Sequence, residues 1–486
     1  MYMPDFKTLD KQKEQFKSAP VCKEIYADII TPITLLSKIA SVSEQFYLLE
    51  SVEGGKQWGR YSFLGFDPVM TVHLKNYKLT VCEKDKKTME VKEPYKFLRE
   101  VLKEYHSPSL DEMPPFTGGF VGNFSYNMIQ YAEPVLKLRE SEMNDFDLML
   151  FDKVIAYDHL KQKICIIVNY KLDEGNVGYE KACEKIEHII DMIRNAKPVE
   201  TTSRYQAPEF TCNVSYEEYE RLIERTKEYI VDGDIFQGVI SRRFEAEFRE
   251  SLLDVYRVLR TTNPSPYMFY MKMKHQEYAG TSPETLVKMR DRKLVTFPVA
   301  GTRKRGTTTE EDQQLERELL ADEKELAEHN MLVDLARNDI GRVSQLSTVK
   351  VEEYMQIHRY SKVMHIASIV SGNIKEENDA FDALSAVLPA GTLSGAPKIR
   401  ACEIINELEP TARGIYGGAI GYIDFTGNMD TCIAIRMAVK HKEKLYVQAG
   451  GGIVADSDVK SEYEETANKA SAVINAVKRA GEVQNL

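Results

Sequence analysis

The amino-acid sequence predicts a mixed α/β (α+β) fold, and three observations predict it. Short β-type runs fill the stretch from Phe46 to about Tyr170. Beyond residue 212 similar runs alternate with long helical segments, and no internal repeat or low-complexity segment interrupts either half. At 486 residues the chain exceeds one ordinary core, which allows roughly two or three domains or one large interleaved unit.

The N-terminal runs are FYLLESV, MTVHLKNYKLTVCE, LMLFDKVIAYD and KICIIVNY. They are rich in β-branched and aromatic residues and are separated by Gly, Pro, Asp and Asn. Apolar residues at helical spacing then predict a helix from Tyr179 to Arg194. The segment AKPVETTSRYQAPEF loses all periodicity and collects Pro, Ser and Thr, which marks a linker. A boundary at residues 196–212 separates an N-terminal β-rich domain, residues 1–200, from a second domain, residues 213–480, the two interleaved in space. In the second, strands read from GVISRRFEAEF, EYAGTS, KLVTFPVAG, AIGYIDF, TCIAIRMAVK and KLYVQAGGGIV alternate with helices.

The bulk numbers exclude several function classes. The 64 basic against 75 acidic residues give a net charge of −11, and no basic stripe offers a nucleic-acid face. An anionic small substrate would therefore need local Lys and Arg. The seven cysteines are scattered without a CxxC pair, and an odd count argues against a secreted disulfide framework. Met1 to Glu14 is polar and no apolar run approaches bilayer length, so a soluble, cytoplasmic protein is expected.

Two helical segments carry carboxylates on apolar stripes. In KELAEHNMLVDLARNDIG, Glu325 and Glu328 share a face with Leu332 and Leu335. In SEYEETANKASAVINAV, Glu462, Glu465 and Lys469 share a face that continues into Ala472, Val473 and Ala476. Carboxylates turned toward an interior must be paired, protonated or metal-bound. Oxygen donors without a His or Cys cluster suit a hard cation such as Mg2+. On spacing alone, ion pairs with Lys324, Arg337 or Lys469 are the simpler reading.

Glycine-rich segments add to this. PAGTLSGAPK could cradle an anion with its amides and Thr392. In QAGGGIV, Gly450, Gly451 and Gly452 allow a ligand close to the backbone, and RGIYGGAIGYI brings Tyr416. No loop matches GxGxxG or GxxxxGK[ST], so nucleotide binding is not implied. Arg436 and Lys469 could each meet a carboxylate, although a structural ion pair would equally explain Arg436.

The ordered series SPE (282–284), PVAGTRKRG, ELAEHNMLVDLARNDIGR, PAGTLSGAPKIRA, IYGGAIGY, IAIRMA, AGGGIV and SEYEETANK closely resembles the chorismate-utilising enzymes, specifically the large subunits of anthranilate synthases. The resemblance runs in order from about residue 215 to residue 480. LLES (48–51) and RYSFLGFDP (60–68) extend it into the N-terminal half.

The resemblance implies two large antiparallel-rich sheets packed with helices around a cleft that binds chorismate. By it Glu328 and Glu465 are Mg2+ ligands, with Glu325 and Glu462 acting nearby or through water. Lys469 and the amides of Gly450 to Gly452 bind the ring carboxylate, while Tyr416 and Arg436 bind the enolpyruvyl carboxylate. Thr392 and His365 line the ring, and Glu284 is the acid that protonates the departing C4 hydroxyl as ammonia adds at C2. His365 orients or assists the later loss of pyruvate.

Two positions sort the sequence among its relatives. Water-using members carry lysine in place of Gln237, and folate-pathway members carry lysine in place of Ala300, so ammonia addition and anthranilate are expected over 4-amino-4-deoxychorismate. Glu50, Ser51, Pro266, Tyr267 and Met268 resemble a tryptophan feedback site. The alternative is a strand against a Pro-containing loop. No glutamine-hydrolysing unit of roughly 190 residues is visible. A separate glutamine amidotransferase subunit is expected to deliver the ammonia, in a heterotetramer of two large and two small subunits.

Overall fold

The computed structural model describes residues 1–51, 59–199, 205–359 and 363–483. Part of the expected linker, residues 200–204, lies outside them. The described residues form two 12-stranded sheets, antiparallel in their pairings. Each sheet draws strands from both sides of residues 196–212. Phe46–Glu50 pairs with Tyr267–Lys272 in the first sheet, and Gly119–Phe124 pairs with Ala419–Asp424 in the second.

Several runs that read as one strand are two. MTVHLKNYKLTVCE forms a hairpin of Met70–Lys75 and Lys78–Cys82, turning through Asn76 and Tyr77 at φ of 48° and 62°. Positive φ at both central residues is the tight-turn geometry that suits the twist of paired strands. KLVTFPVAG breaks around Pro298 into Lys293–Thr296 and Val299–Lys304, both paired with Val363–Asn373. Proline has no N–H to give to a ladder, so the ladder stops there.

Other runs change sheets. LMLFDKVIAYD turns at Asp152, with Phe146–Phe151 in the second sheet and Lys153–Asp158 in the first. The chain passes from Gln276–Ser282 in the first sheet to Thr285–Arg290 in the second, with Glu284 at the joint. It returns from Met429–Ile433 to Met437–His441, with Arg436 at φ 53° at that joint. The two joints lie side by side. Ser282 Oγ donates to the Ile433 carbonyl at 2.7 Å, the Ile433 amide to the Glu284 carbonyl at 3.0 Å, and the Thr281 amide to the Arg436 carbonyl at 3.1 Å.

Three apolar layers hold this frame. Tyr47, Phe116, Phe151 and Tyr278 belong to the core between the sheets. Ile186, Tyr256 and Val473 pack helices on the outer face of the first sheet, and Leu98, Val333 and Phe381 do so on the second. Burying each such side chain stabilises by about 1.5–3 kcal/mol. The predicted helix from Tyr179 to Arg194 spans Gly175–Asn195. No helix of the described residues is long and apolar enough to cross a membrane.

The two acidic helices flank this core. Glu323–Gly341 starts at Asp322, whose side chain accepts from the Lys324 and Glu325 amides, and lies on Val299–Lys304 and Val363–Asn373. Val459–Arg479 is capped by Asp458 and packs on the strand Lys444–Ile453.

Candidate functional site

The site is built where the chain changes sheets. Glu284 sits at one joint, and the 3-10 turn Gly391–Leu393 brings Thr392 to it, with Thr392 Oγ1 donating to Glu284 Oε1 at 3.0 Å. The surrounding cleft has apolar walls that include Leu332, Leu335, Val387 and Ile433. Burial pushes the Glu284 carboxyl up to about 7, against the opposing pull of Thr392 and Lys469. Near neutrality this group can therefore hold a proton and give it away.

Lys469 stands beside it. Its Nζ donates to the Gly450 carbonyl at 3.0 Å and pairs with Glu465 at 2.5 Å. From the other joint, Arg436 Nη1 donates to the Lys469 carbonyl at 3.1 Å. Burial lowers the Arg436 pKa while Tyr416 and Glu465 raise it. The Tyr416 hydroxyl closes on Gly450, where an added Cβ would lie 2.9 Å from it. Tyr416, Arg436, Lys469 and the glycines thus share one wall.

Two side-chain ends lie against those glycines. A Cβ on Gly451 would stand 2.6 Å from Glu462 Oε2, and one on Gly452 would stand 2.1 Å from Gln237 Nε2, so a side chain at either position would displace the carboxylate or the amide from where it now lies.

Three of the four carboxylates of the acidic helices have a polar partner among the described residues. Glu325 pairs with Arg303 at 3.2 Å, Glu462 accepts from Ser457 Oγ at 2.9 Å, and Glu465 holds Lys469. Burial first, and then Glu325, raises the Glu328 pKa, with Glu465 contributing less. Burial raises Glu462 as well, again with Glu465 adding to it. The helices therefore turn carboxylates toward each other at mutual cost. Among the described residues no three His, Cys, Asp or Glu side chains close on one point. The donors are all oxygens, and like charges that hinder each other's ionisation fit a divalent cation better than they fit one another.

His365 lies on Val363–Asn373, and its Nδ1 donates to the Gly301 carbonyl at 3.2 Å. That bond leaves the lone pair on Nε2. Burial lowers its pKa, with Arg436 adding in the same direction, so the ring is neutral near pH 7.

The other expected group is arranged differently. Glu50 and Met268 are register partners on the first sheet, and both are buried on its helix side. Arg260 Nε and Nη2 donate to the two oxygens of Glu50 at 2.9 and 3.0 Å, and Tyr256 donates at 2.6 Å. Tyr267 points to the opposite face, as strand alternation requires, and donates to Asp430 at 2.8 Å. Ser51 and Pro266 are half-buried beside this pair of strands.

Sequence reasoning missed two buried guanidiniums behind the site. Arg413 donates to Glu409 at 2.9 and 2.6 Å, to the Val239 carbonyl at 2.6 Å and to the Leu393 carbonyl at 2.5 Å, so it ties down the residue next to Thr392. Arg242 is enclosed beneath the helix that bears Glu462 and Glu465. The i, i+4 spacing of Glu409 and Arg413 was the only local signal for the first.

Comparison with known proteins supplies the family. Residues 44–475 match the family described as chorismate binding enzyme. "Anthranilate synthase component 1" of Acetivibrio thermocellus is 45% identical, over 99% of this chain and 100% of the relative. The protein of the same name from Aquifex aeolicus (strain VF5) is 43% identical, over 98% and 97%. The crystal structure of anthranilate synthase component I from Streptococcus pneumoniae TIGR4 superposes with a TM-score of 0.77 at 36% identity, covering 93% of this chain and 99% of that one. The chain therefore belongs to the chorismate binding enzyme family, among the anthranilate synthase component 1 proteins.

Proposed function

We propose that the chain converts chorismate and ammonia to anthranilate and pyruvate, the entry to tryptophan synthesis, in the cytoplasm. The observation that carries this reading is a carboxyl pushed up to about 7, Glu284, with Lys469 near enough to oppose that shift, and Lys469 on the wall that Arg436, Tyr416 and Gly450 share. Chorismate is a dicarboxylate. Lys469 with the Gly450 to Gly452 amides would take the ring carboxylate, and Arg436 with Tyr416 the enolpyruvyl carboxylate. Two fixed anchors orient the ring, which converts a chance encounter into a positioned one.

Protonated Glu284 would then give its proton to the C4 hydroxyl as ammonia adds at C2. The neutral His365, with its lone pair on Nε2, is suited to orient or assist loss of the C2 proton as pyruvate leaves. Gln237, packed on Gly452, cannot deprotonate water as a lysine would, which supports ammonia as the nucleophile. Ala300 on Val299–Lys304 cannot attack the ring covalently, which supports anthranilate over 4-amino-4-deoxychorismate.

Mg2+ belongs to the same reading, held by Glu328 and Glu465 with Glu325 and Glu462 near or through water. When bound it would neutralise the ring carboxylate. The "component 1" names of the relatives support a partner component; in this reading it is a separate glutamine amidotransferase subunit that delivers ammonia, in an assembly of two large and two small subunits. Tryptophan inhibition through Glu50, Ser51, Pro266, Tyr267 and Met268 completes the proposal.

The test is incubation of the chain with chorismate, Mg2+ and an excess of an ammonium salt at neutral to mildly alkaline pH, followed by anthranilate fluorescence. Fluorescence that needs all three supports the reading. Chorismate consumed without a fluorescent aromatic product overturns it.

A further inference from the structure

Arg242 lies in the strand Gln237–Glu247, opposite Ala449, and is 1% exposed. Among the described residues its hydrogen-bond acceptors are neutral. Nε and Nη2 donate to Thr466 Oγ1 at 3.0 and 2.7 Å, and Nη2 donates to the Tyr463 carbonyl at 2.7 Å. Its guanidinium carbon stands 3.6 Å from the ring centre of Tyr463, 5.1 Å from that of Tyr219 and 5.5 Å from that of Phe244. Aromatic faces attract a cation, yet a buried guanidinium bonded only to neutral groups is a costly way to fill space. An apolar side chain would fill it more cheaply.

What the charge achieves is visible in where its bonds go. Tyr463 directly follows Glu462, Thr466 directly follows Glu465, and Thr466 also lies one helical turn after Glu462 on the same face. The Glu462 carboxylate is held at Oε1 by Ser457 Oγ at 2.9 Å and lies with Oε2 against Gly451. A carboxylate tip stands roughly 6 Å from the helix axis, so a rotation of about 10° moves it by about 1 Å. Metal ligation tolerates only about 0.2 Å. Behind the same helix, Tyr219 lies between the guanidinium and Glu462. Its phenol is pushed up by burial and then by that carboxylate, and pulled back by Arg242.

We propose that Arg242 is a positioning residue for the acidic site. It locks the rotation of the helix Val459–Arg479 through Tyr463 and Thr466. This rests on the reading of those carboxylates as a divalent-cation site.

The experiment is direct Mn2+ binding to the full-length chain, read from the EPR signal of free Mn2+, for the native protein and for Arg242→Lys, Arg242→Met and Thr466→Val. Thermal midpoints and the split between kcat and KM for chorismate at saturating Mg2+ are measured alongside. Groups that orient metal ligands typically change affinity by about 10–100-fold, so Arg242→Met is expected to weaken Mn2+ binding by at least about tenfold. Arg242→Lys should recover part of the loss and Thr466→Val should show an intermediate loss, with KM for chorismate at saturating metal within about twofold of native. If Arg242→Met does not fold, Thr466→Val decides. A native chain that binds Mn2+ while folded Thr466→Val binds it equally well overturns the role of Arg242 alone. A native chain that binds no Mn2+ overturns the metal reading and this inference with it.

Discussion

Thr392 Oγ1 and Glu284 Oε1 meet at 3.0 Å across 108 residues of sequence, and this one hydrogen bond opposes the burial that lifts the Glu284 carboxyl to about 7. The bond favours the ionised acid. Removing it must raise the pKa further, since burial then acts with less opposition.

The Thr392→Val variant is accordingly predicted to move the alkaline limb of its pH–rate profile upward. Protonated Glu284 is the active form in the proposed reaction, so activity falls as pH rises through the pKa. A hydrogen bond to a charged group is worth about 1.5–3 kcal/mol, so the limb should shift by roughly one to two pH units. Glu284→Gln should lose the limb together with nearly all activity. A limb that stays in place or moves downward in Thr392→Val would count against Glu284 as the acid.

Breaking the pair of Glu409 and Arg413 should unseat the site from behind. The two side chains are 4% and 2% exposed, and Arg413 also holds the Leu393 carbonyl. Glu409→Gln leaves the guanidinium buried without its anion, which costs about 3–5 kcal/mol. Denaturant unfolding should show that loss, and kcat should fall because Thr392 is no longer held. A loss below about 1 kcal/mol would show that the pair is not the brace it resembles.

Asp424 predicts a pH dependence of stability. Its Oδ1 accepts from the Thr426 amide, the Thr426 hydroxyl and the Asn428 amide at 2.9, 2.7 and 2.8 Å, yet burial pushes the carboxyl from 3.8 up to about 7. The folded pKa lies above the unfolded one. The protonated side chain therefore contributes its full stability below about pH 4, and that contribution drains away as pH rises through about 7. Asp424→Asn buries no charge and should gain on the native chain across that window, at up to about 1.4 kcal/mol per pH unit. Thermal midpoints of both proteins at several pH values test this, and a constant gap refutes it.

Tryptophan inhibition, if it acts at Ser51, should be relieved by Ser51→Phe with catalysis spared. Inhibition curves of both proteins at fixed chorismate provide the check, and an unchanged curve removes Ser51 from the inhibitor site.

Much of the site was legible because helical spacing is local. Glu325 with Glu328, and Glu462 with Glu465 and Lys469, fall on common stripes whatever the rest of the chain does, and the bare glycines stand in plain view. The sheet changes at Asp152, Glu284 and Arg436 were not legible. Alternation of apolar residues reports that a strand is buried, but not in which of two sheets. Arg242 and Arg413 were hidden for a related reason. An arginine in a strand reads as surface until its partners are known, and Tyr463 and Leu393 come from distant stretches of sequence.

The shared sheets also dictate when this protein can exist. Met437–His441 and Lys444–Ile453 lie in the middle of the first sheet, between Gln276–Ser282 and Gln237–Glu247. On a ribosome those strands emerge long after the two they join. Until they arrive, Gln276–Ser282 and Gln237–Glu247 each present an unpaired edge, the kind of edge that recruits other chains. The first sheet cannot close until they have emerged, and a shortage of chaperone capacity should reduce the yield of this protein before it affects a chain whose strands pair in order.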